Sequence, residues 1–299
     1  MADSGADQAA QPADRLVRLP GGPFLYGGTE GHPADGEGPV REVVLSPFRI
    51  DPYCVSNADF AGFVAATGYV TDAERHGWSF VFHLFLDSPG RFRAVPATPW
   101  WKQVHGACWH RPEGPGSSVG DRADHPAVHI SWNDAAAFCR WAGVRLPTEA
   151  EWEFAARGGL TGRRYPWGDE LEPGGEHRCN IWQGDFPHFN SALDGYVGTA
   201  PVTAFPPNGY GLNNMAGNVW EWCSDHFTAA RGISSARDPQ GPADGPGRVI
   251  RGGSYLCHAS YCNRYRVAAR SFNTQDSSTG HMGFRVARSI RDSETGGRQ

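Results

Sequence analysis

The sequence predicts an α+β protein in which a few short helices and small sheets are set in a large amount of ordered loop. Three observations lead to that class. The chain carries 39 glycines and 23 prolines in 299 residues, and in a helix these cost about 1 and about 3 kcal/mol relative to alanine, so few long helices are expected. Its 11 tryptophans supply large rigid anchors whose indole N–H groups need acceptors when buried. Helical periodicity is confined to the chain before about residue 160, after which turn dipeptides dominate. With no fixed-period repeat and no low-complexity linker, residues 14–290 read as one domain. Residues 1–13 and 291–299, small and polar, read as flexible tails.

In chain order, Arg15 to Leu19, a Pro-Gly-Gly-Pro turn and Phe24 to Tyr26 read as a hairpin. Val40 to Leu45, valine-rich and ending before Ser46-Pro47, reads as a strand. Ser56-Asn57-Ala58-Asp59 offers an N-cap to a helix with Phe60, Phe63 and Val64 on one face. Val128 to Ile130 reads as a short strand, and Asn133-Asp134 opens a helix from Ala135 to Trp141, stopped by Gly143. Thr148-Glu149-Ala150-Glu151 is a capping box behind Pro147, its helix running to Ala156 before Gly158-Gly159. The clear later strands are Arg248 to Arg251 and Gly283 to Ala287. Loops this long in a compact domain are functional or held by something, and bound ions are a candidate.

A net charge of -5 and a pI near 6.2 leave no basic footprint for nucleic acid. No apolar run approaches the roughly 18 residues of a membrane span. The first residues lack the basic and apolar regions of a signal peptide, so a soluble, cytoplasmic monomer is expected. Seven cysteines in that compartment are mostly reduced thiols, and an odd number cannot all pair within the chain.

The strongest chemical feature is the segment Gly252-Gly253-Ser254-Tyr255-Leu256-Cys257-His258-Ala259-Ser260-Tyr261-Cys262-Asn263-Arg264-Tyr265-Arg266. Two thiols five positions apart can meet across a tight loop. They would suit Cu(I), which accepts few ligands, and equally thiol–disulfide exchange. Arg264 and Arg266 would favour the thiolate if they point inward. The spacing alone also allows two unrelated structural thiols, a plain disulfide or, with more ligands than this loop offers, zinc. Cys139, beside Phe138 and Trp141, reads as a buried apolar thiol. Cys54, Cys108, Cys179 and Cys223 show no partner signal. His125 and His129 have a metal-like spacing, but on a strand they stand about 13 Å apart and read as structural. Glu149, Glu151 and Glu153 read as capping and surface charges.

The sequence resembles the formylglycine-generating enzymes, or sulfatase-modifying factors, from about Val17 to Arg288. The resemblance rests on Asp72-Ala-Glu-Arg75, Gly77-Trp-Ser-Phe80, His129-Ile-Ser-Trp-Asn-Asp134 and Arg145-Leu-Pro-Thr-Glu-Ala-Glu-Trp-Glu153. Tyr165-Pro-Trp-Gly168, Asn180-Ile-Trp-Gln-Gly184 and Pro206-Pro-Asn-Gly-Tyr-Gly-Leu212 continue it. Ala216-Gly-Asn-Val-Trp-Glu-Trp222, the cysteine segment and Asn273-Thr-Gln-Asp-Ser-Ser278 complete it. The Leu-Pro-Thr-Glu-Ala-Glu-Trp and Gly-Asn-Val-Trp-Glu-Trp blocks belong to a wider superfamily with non-oxidase members, whereas the cysteine block is much more specific to the oxidases.

What the resemblance implies is an irregular fold likened to a C-type lectin, with little regular secondary structure. It implies an oxidase that uses O2 to convert the cysteine of an unfolded Cys-x-Pro-x-Arg segment of a sulfatase into Cα-formylglycine. Cys257 and Cys262 would hold Cu(I), with the substrate thiol as a third sulfur ligand. Ser254 and Tyr261 would lie beside the oxygen site, Trp220 would line the pocket and His258 would support it. Two structural Ca2+ sites are implied as well, one at Asn180, Ile181, Asp194 and Tyr196, the other at Asn214, Gly217, Val219 and Glu221. Val267 stands where a family member has a disulfide cysteine, so that bridge is not expected. The competing readings are an iron-dependent sulfur–carbon bond-forming enzyme or a lectin-like binding module of the same superfamily, and a thiol–disulfide oxidoreductase.

Overall fold

The structure, a computed structural model, describes residues 12–230 and 235–290. The tails expected at the two ends therefore lie outside the described residues, apart from Pro12 and Ala13. In chain order the elements are β1 (Val17–Leu19), β2 (Gly22–Tyr26), β3 (Arg41–Leu45), β4 (Phe48–Ile50), α1 (Asn57–Thr67), α2 (Asp72–His76), β5 (Trp78–Phe82), β6 (Arg93–Val95) and β7 (Thr98–His105). Then come α3 (Trp132–Ala142), α4 (Glu149–Arg157), β8 (Gly184–Asp185), β9 (Phe189–Asn190), β10 (Trp220–His226), β11 (Arg248–Arg251), β12 (Arg270–Asn273), β13 (Met282–Phe284) and β14 (Ala287–Ser289). No α-helix follows Arg157 among the described residues, and none is long and apolar enough to cross a membrane.

Each of the four α-helices begins with a reciprocal capping box, Ser56/Asp59, Thr71/Glu74, Ser131/Asp134 and Thr148/Glu151. Each ends on a left-handed glycine, Gly68, Gly77, Gly143 or Gly158. Caps of this kind contribute about 1 kcal/mol each, which matters for helices too short to be stable alone. α3 starts earlier than expected because Ser131, not Asn133-Asp134, is the cap.

The central sheet has the order β12-β11-β10-β13, antiparallel except for the parallel pair β10–β13. A second sheet, β1-β4-β14, joins the two ends of the described chain. Smaller sheets are β2-β3, β5-β7-β6 and β8-β9. The expected hairpin resolves differently: β1 pairs with β4 and β2 with β3, so the Pro-Gly-Gly-Pro turn is a corner between two sheets. The strand expected at Gly283 to Ala287 splits into β13 and β14, because Arg285 turns into the core between them. Val128 to Ile130 forms no strand. His129 has a φ of 58° there, which takes the segment out of the extended region.

The largest apolar cluster sits between α1, α3 and the central sheet. Phe60, Phe138 and Phe284 are fully buried, and the indole of Trp222 donates to Ile130 O at 2.9 Å. A second cluster packs α4 on β2–β3 through Trp152, Phe154 and Val43. Between these layers run buried ion pairs. Glu149 accepts from Arg251 and Arg270, Glu153 from Arg251 and Arg157, and Glu221 from Arg285. The expectation for Glu149 and Glu153 is corrected here. Only Glu151 is a cap, paired with Arg145; the other two are interior anchors.

Candidate active site and metal centres

The cysteine segment is an excursion between neighbouring strands. Arg251 of β11 is paired with Arg270 of β12, and residues 252–269 fold out beyond that pair. Gly252 and Gly253 turn the chain with φ of 90° and 72°. A Cβ on Gly253 would lie 2.8 Å from Arg264 O, so a side chain there is excluded on both counts. The Cys257 N–H donates to Ser254 O at 2.9 Å. The His258 carbonyl then accepts from the N–H groups of Tyr261, Cys262 and Asn263 at 3.0, 3.0 and 3.1 Å. These main-chain bonds close the turn and bring Cys257 and Cys262 together as a disulfide, with Cα atoms 5.5 Å apart. Both residues are buried. The reading of two unrelated thiols is thereby removed. The other five cysteines are free and buried, and burial pushes the Cys139 thiol up to about 12.

The remaining expected residues distribute around this pair. Ser254 is buried and its Oγ accepts from Leu256 N. Trp220, the first residue of β10, shares the main apolar cluster with both cysteines. Tyr261 stands at the rim, 38% exposed, its ring stacked on Phe186 at 4.4 Å and met edge-on by Trp100 at 5.1 Å. His258 Nδ1 is bonded to Ser260 Oγ at 2.7 Å. The two arginines do not lend their charge to the sulfurs: Arg264 pairs with Asp35 and Arg266 with Glu37.

Sequence reasoning gave no role to the aromatic wall of Trp100, Trp182 and Phe186. These residues come from β7 and from the loop between α4 and β9, so no local period could group them. Trp182 is nevertheless bolted to the pair, its N–H donating to Cys257 O at 3.1 Å. Its buried indole Nε1 has no hydrogen-bond partner.

Both segments expected to hold calcium contain an orphaned oxygen. Asn180 Nδ2 donates to Gly198 O, while its buried Oδ1 has no partner. Asp194 is buried beside it, held by the N–H groups of Ile181 and Tyr196, and burial raises its pKa. Asn214, at a φ of 52°, likewise donates through Nδ2 and leaves a buried Oδ1 unpartnered. An unsatisfied buried carbonyl oxygen costs about 1–3 kcal/mol, which an ion or a water at each of these two positions would relieve. Gly217 packs so closely that a Cβ would lie 2.3 Å from Asn180 O. Glu221 differs. Its carboxylate accepts from Arg285, from the Trp152 indole and from the Cys54 thiol, which leaves no lone pair free. The second segment also grips the cysteine loop: Gly217 N–H donates to Gly252 O, and Tyr255 N–H to Asn218 O, both at 2.9 Å.

Four comparisons with known proteins bear on this arrangement. A formylglycine-generating enzyme of Thermomonospora curvata is 62% identical over 92% of this chain and 93% of its own length. A mouse protein named inactive C-alpha-formylglycine-generating enzyme 2 is 47% identical over 94% of this chain and 87% of its own. Among solved structures, PvdO from Pseudomonas aeruginosa superposes with a TM-score of 0.66 at 24% identity, covering 92% of this chain and 94% of that one. At that identity the likeness speaks for the fold alone. The profile of the sulfatase-modifying factor enzyme 1-like domain matches residues 2–290, and the chain belongs to that family.

Proposed function

We propose that this chain is a copper-dependent formylglycine-generating enzyme that uses O2 to oxidise the cysteine of a Cys-x-Pro-x-Arg segment in a sulfatase. Family membership alone does not carry that reading, since a relative is named inactive. The observation that carries it is the convergence of Cys257 and Cys262 in a buried turn behind an aromatic wall, in a chain 62% identical to a formylglycine-generating enzyme.

The donor set fits copper. Among the described residues the two sulfurs belong to no group of three or more His, Cys, Asp or Glu ligand atoms, and two soft sulfurs that can meet suit Cu(I) in the reduced loop. Copper, when bound, supplies the one-electron chemistry with O2 that no side chain provides. The chain's own part is placement and exclusion of water. The main-chain bonds to the His258 carbonyl fix both sulfurs, and Trp220 walls the apolar side. Tyr261 and Phe186 offer a flat face for an extended peptide, and the unpaired indole Nε1–H of Trp182 is a donor for its backbone. Ser254 and Tyr261 supply hydroxyls for protons leaving the substrate. In balance, two electrons and two protons pass from the substrate CH2–SH to O2, reducing it to the peroxide level; water then replaces sulfur as the carbonyl oxygen and hydrogen sulfide leaves.

Calcium fits the Asn180–Asp194 segment, where Asn180 Oδ1, the Asp194 carboxylate and the carbonyls of Ile181 and Tyr196 would be its oxygens. At the second segment Asn214 Oδ1 and the carbonyls of Gly217 and Val219 would serve, with the Glu221 side chain committed to Arg285. Both ions would be structural, holding the strands of loop that hold the cysteines.

The test is to incubate the reduced, Cu(I)-loaded protein with O2 and a Cys-x-Pro-x-Arg peptide and follow the peptide mass. Conversion to an aldehyde that a hydrazine traps, abolished by Cys257→Ser and by Cys262→Ser, is expected. Stoichiometric copper binding without conversion would refute the oxidase reading and leave a binding role.

A further inference from the structure

We propose that Glu74, Cys108 and His110 form a binding site for a divalent cation of the zinc class, apart from the cysteine loop. The three donors come from two turns that the β5–β7 ladder holds side by side. α2, which carries Glu74, leads through Gly77 into β5, and β7 leaves the same edge of the sheet toward Cys108, with Trp78 registered against His105. The Gly106 N–H donates to Gly77 O at 2.9 Å across the two turns. Reciprocal bonds between Cys108 and Arg111, at 3.1 and 3.0 Å, close the second turn on itself. Trp109 packs edge-on to Phe60 and pins that turn to the core.

The donor atoms already stand near ligand spacing. Cys108 Sγ lies 3.4 Å from His110 Nδ1, and that nitrogen 3.8 Å from Glu74 Oε1; all three lie within 4.8 Å of one another. In a tetrahedral zinc site, bonds of about 2.3 Å to sulfur and about 2.0–2.1 Å to nitrogen and oxygen give ligand-to-ligand edges of about 3.6 and about 3.3 Å. Small rotations of the partly exposed Glu74 and His110 side chains reach that geometry. The second Glu74 oxygen, Oε2, accepts from the Thr71 N–H at 2.9 Å and its hydroxyl at 2.7 Å. The helix cap thus orients Oε1 as an outer partner orients a metal ligand. One thiolate, one imidazole and one carboxylate are a borderline-soft set that selects zinc over calcium or magnesium. Three protein ligands leave the fourth position to water, on the side where His110 is exposed.

The reduced, metal-free protein titrated with Co2+, a spectroscopic stand-in for zinc, should develop a sulfur-to-cobalt charge-transfer band and intense visible bands of tetrahedral cobalt. Zinc should displace both. Cys108→Ser should abolish the charge-transfer band, His110→Gln should weaken cobalt binding, and Cys257→Ser should leave the signal in place. A thiol that only hydrogen-bonds to His110 would give no such band in folded protein, and that result overturns the proposal. A band that survives Cys108→Ser and vanishes in Cys257→Ser overturns it too, by placing cobalt in the loop. Should Cys108→Ser fail to fold, His110→Gln and Glu74→Gln decide, because both side chains face solvent.

Discussion

Up to Arg157 the helices are started and stopped by local devices, whereas beyond it the loops are pinned by distant ones. In the first part four helices are each started by a capping box and stopped by a left-handed glycine, so the bonds that define an element lie within a few residues of it. In the second part the cysteine loop depends on Asp35 and Glu37, on Gly217 and Asn218, and on Trp182, all far away in sequence. The difference teaches where precision comes from in a loop-rich protein. A helix can place a side chain alone, whereas a loop must be pinned from several sides before two sulfurs can be held in register.

The most damaging way to test that contrast is to remove a distant pin. Glu149→Ala leaves Arg251 and Arg270 buried without their shared carboxylate, which should cost about 3–5 kcal/mol. Denaturant unfolding measures it, and a loss near that of a cap deletion would mean that the ion pairs are not what holds the second part. This pin also shows what was legible in the sequence. Three of the four helices, the caps of α1 and α4 and the cysteine loop were visible because their signals are local; α2, a five-residue helix, was too short to show a period. The roles of Glu149 and Glu153 were not, because the arginines that bury them are about a hundred residues downstream. The strand partners of β1 and β2 escaped for the same reason, since a turn sequence specifies a bend and not a sheet. The residues expected around the cysteine pair were named through a resemblance; the aromatic wall, assembled from β7 and a stretch about eighty residues later, was not.

His129 joins the two parts, and acid probes the join. Its ring bonds Ser79 and Pro112, its N–H donates to Thr279 O, and burial pushes its pKa down to about 4. The unfolded chain binds that proton more readily, so the stability from a neutral buried His129 is full above about pH 6.5 and is lost as the pH falls toward 4, by up to about 3 kcal/mol. His129→Asn, which tolerates the positive φ, should therefore narrow its gap to the parent as the pH drops. Parallel pH profiles would show that this ring does not link the parts.

Chelation comes next in size. If calcium fills the proposed sites, free calcium at about a hundred times its dissociation constant would stabilise by about 2.7 kcal/mol. Stripping it should lower the melting temperature, Asn180→Ala should remove most of the response, and copper should stay bound to the reduced loop. An unchanged melt would mean that the orphaned oxygens are filled by water. The smallest effect is expected from Ser56→Ala, which removes a cap from α1 for about 1 kcal/mol. Urea midpoints would show it, and peptide conversion should be untouched, as a device confined to one helix requires.

The turn that joins the cysteines has a consequence for how the protein could change. Its shape is written in main-chain bonds to one carbonyl, that of His258, and in two glycines. The exposed side chains of Ala259 and Ser260 take little part in those bonds. That separates spelling from architecture: these two positions can drift or be rewritten to meet a different peptide, and the cysteines will still face each other.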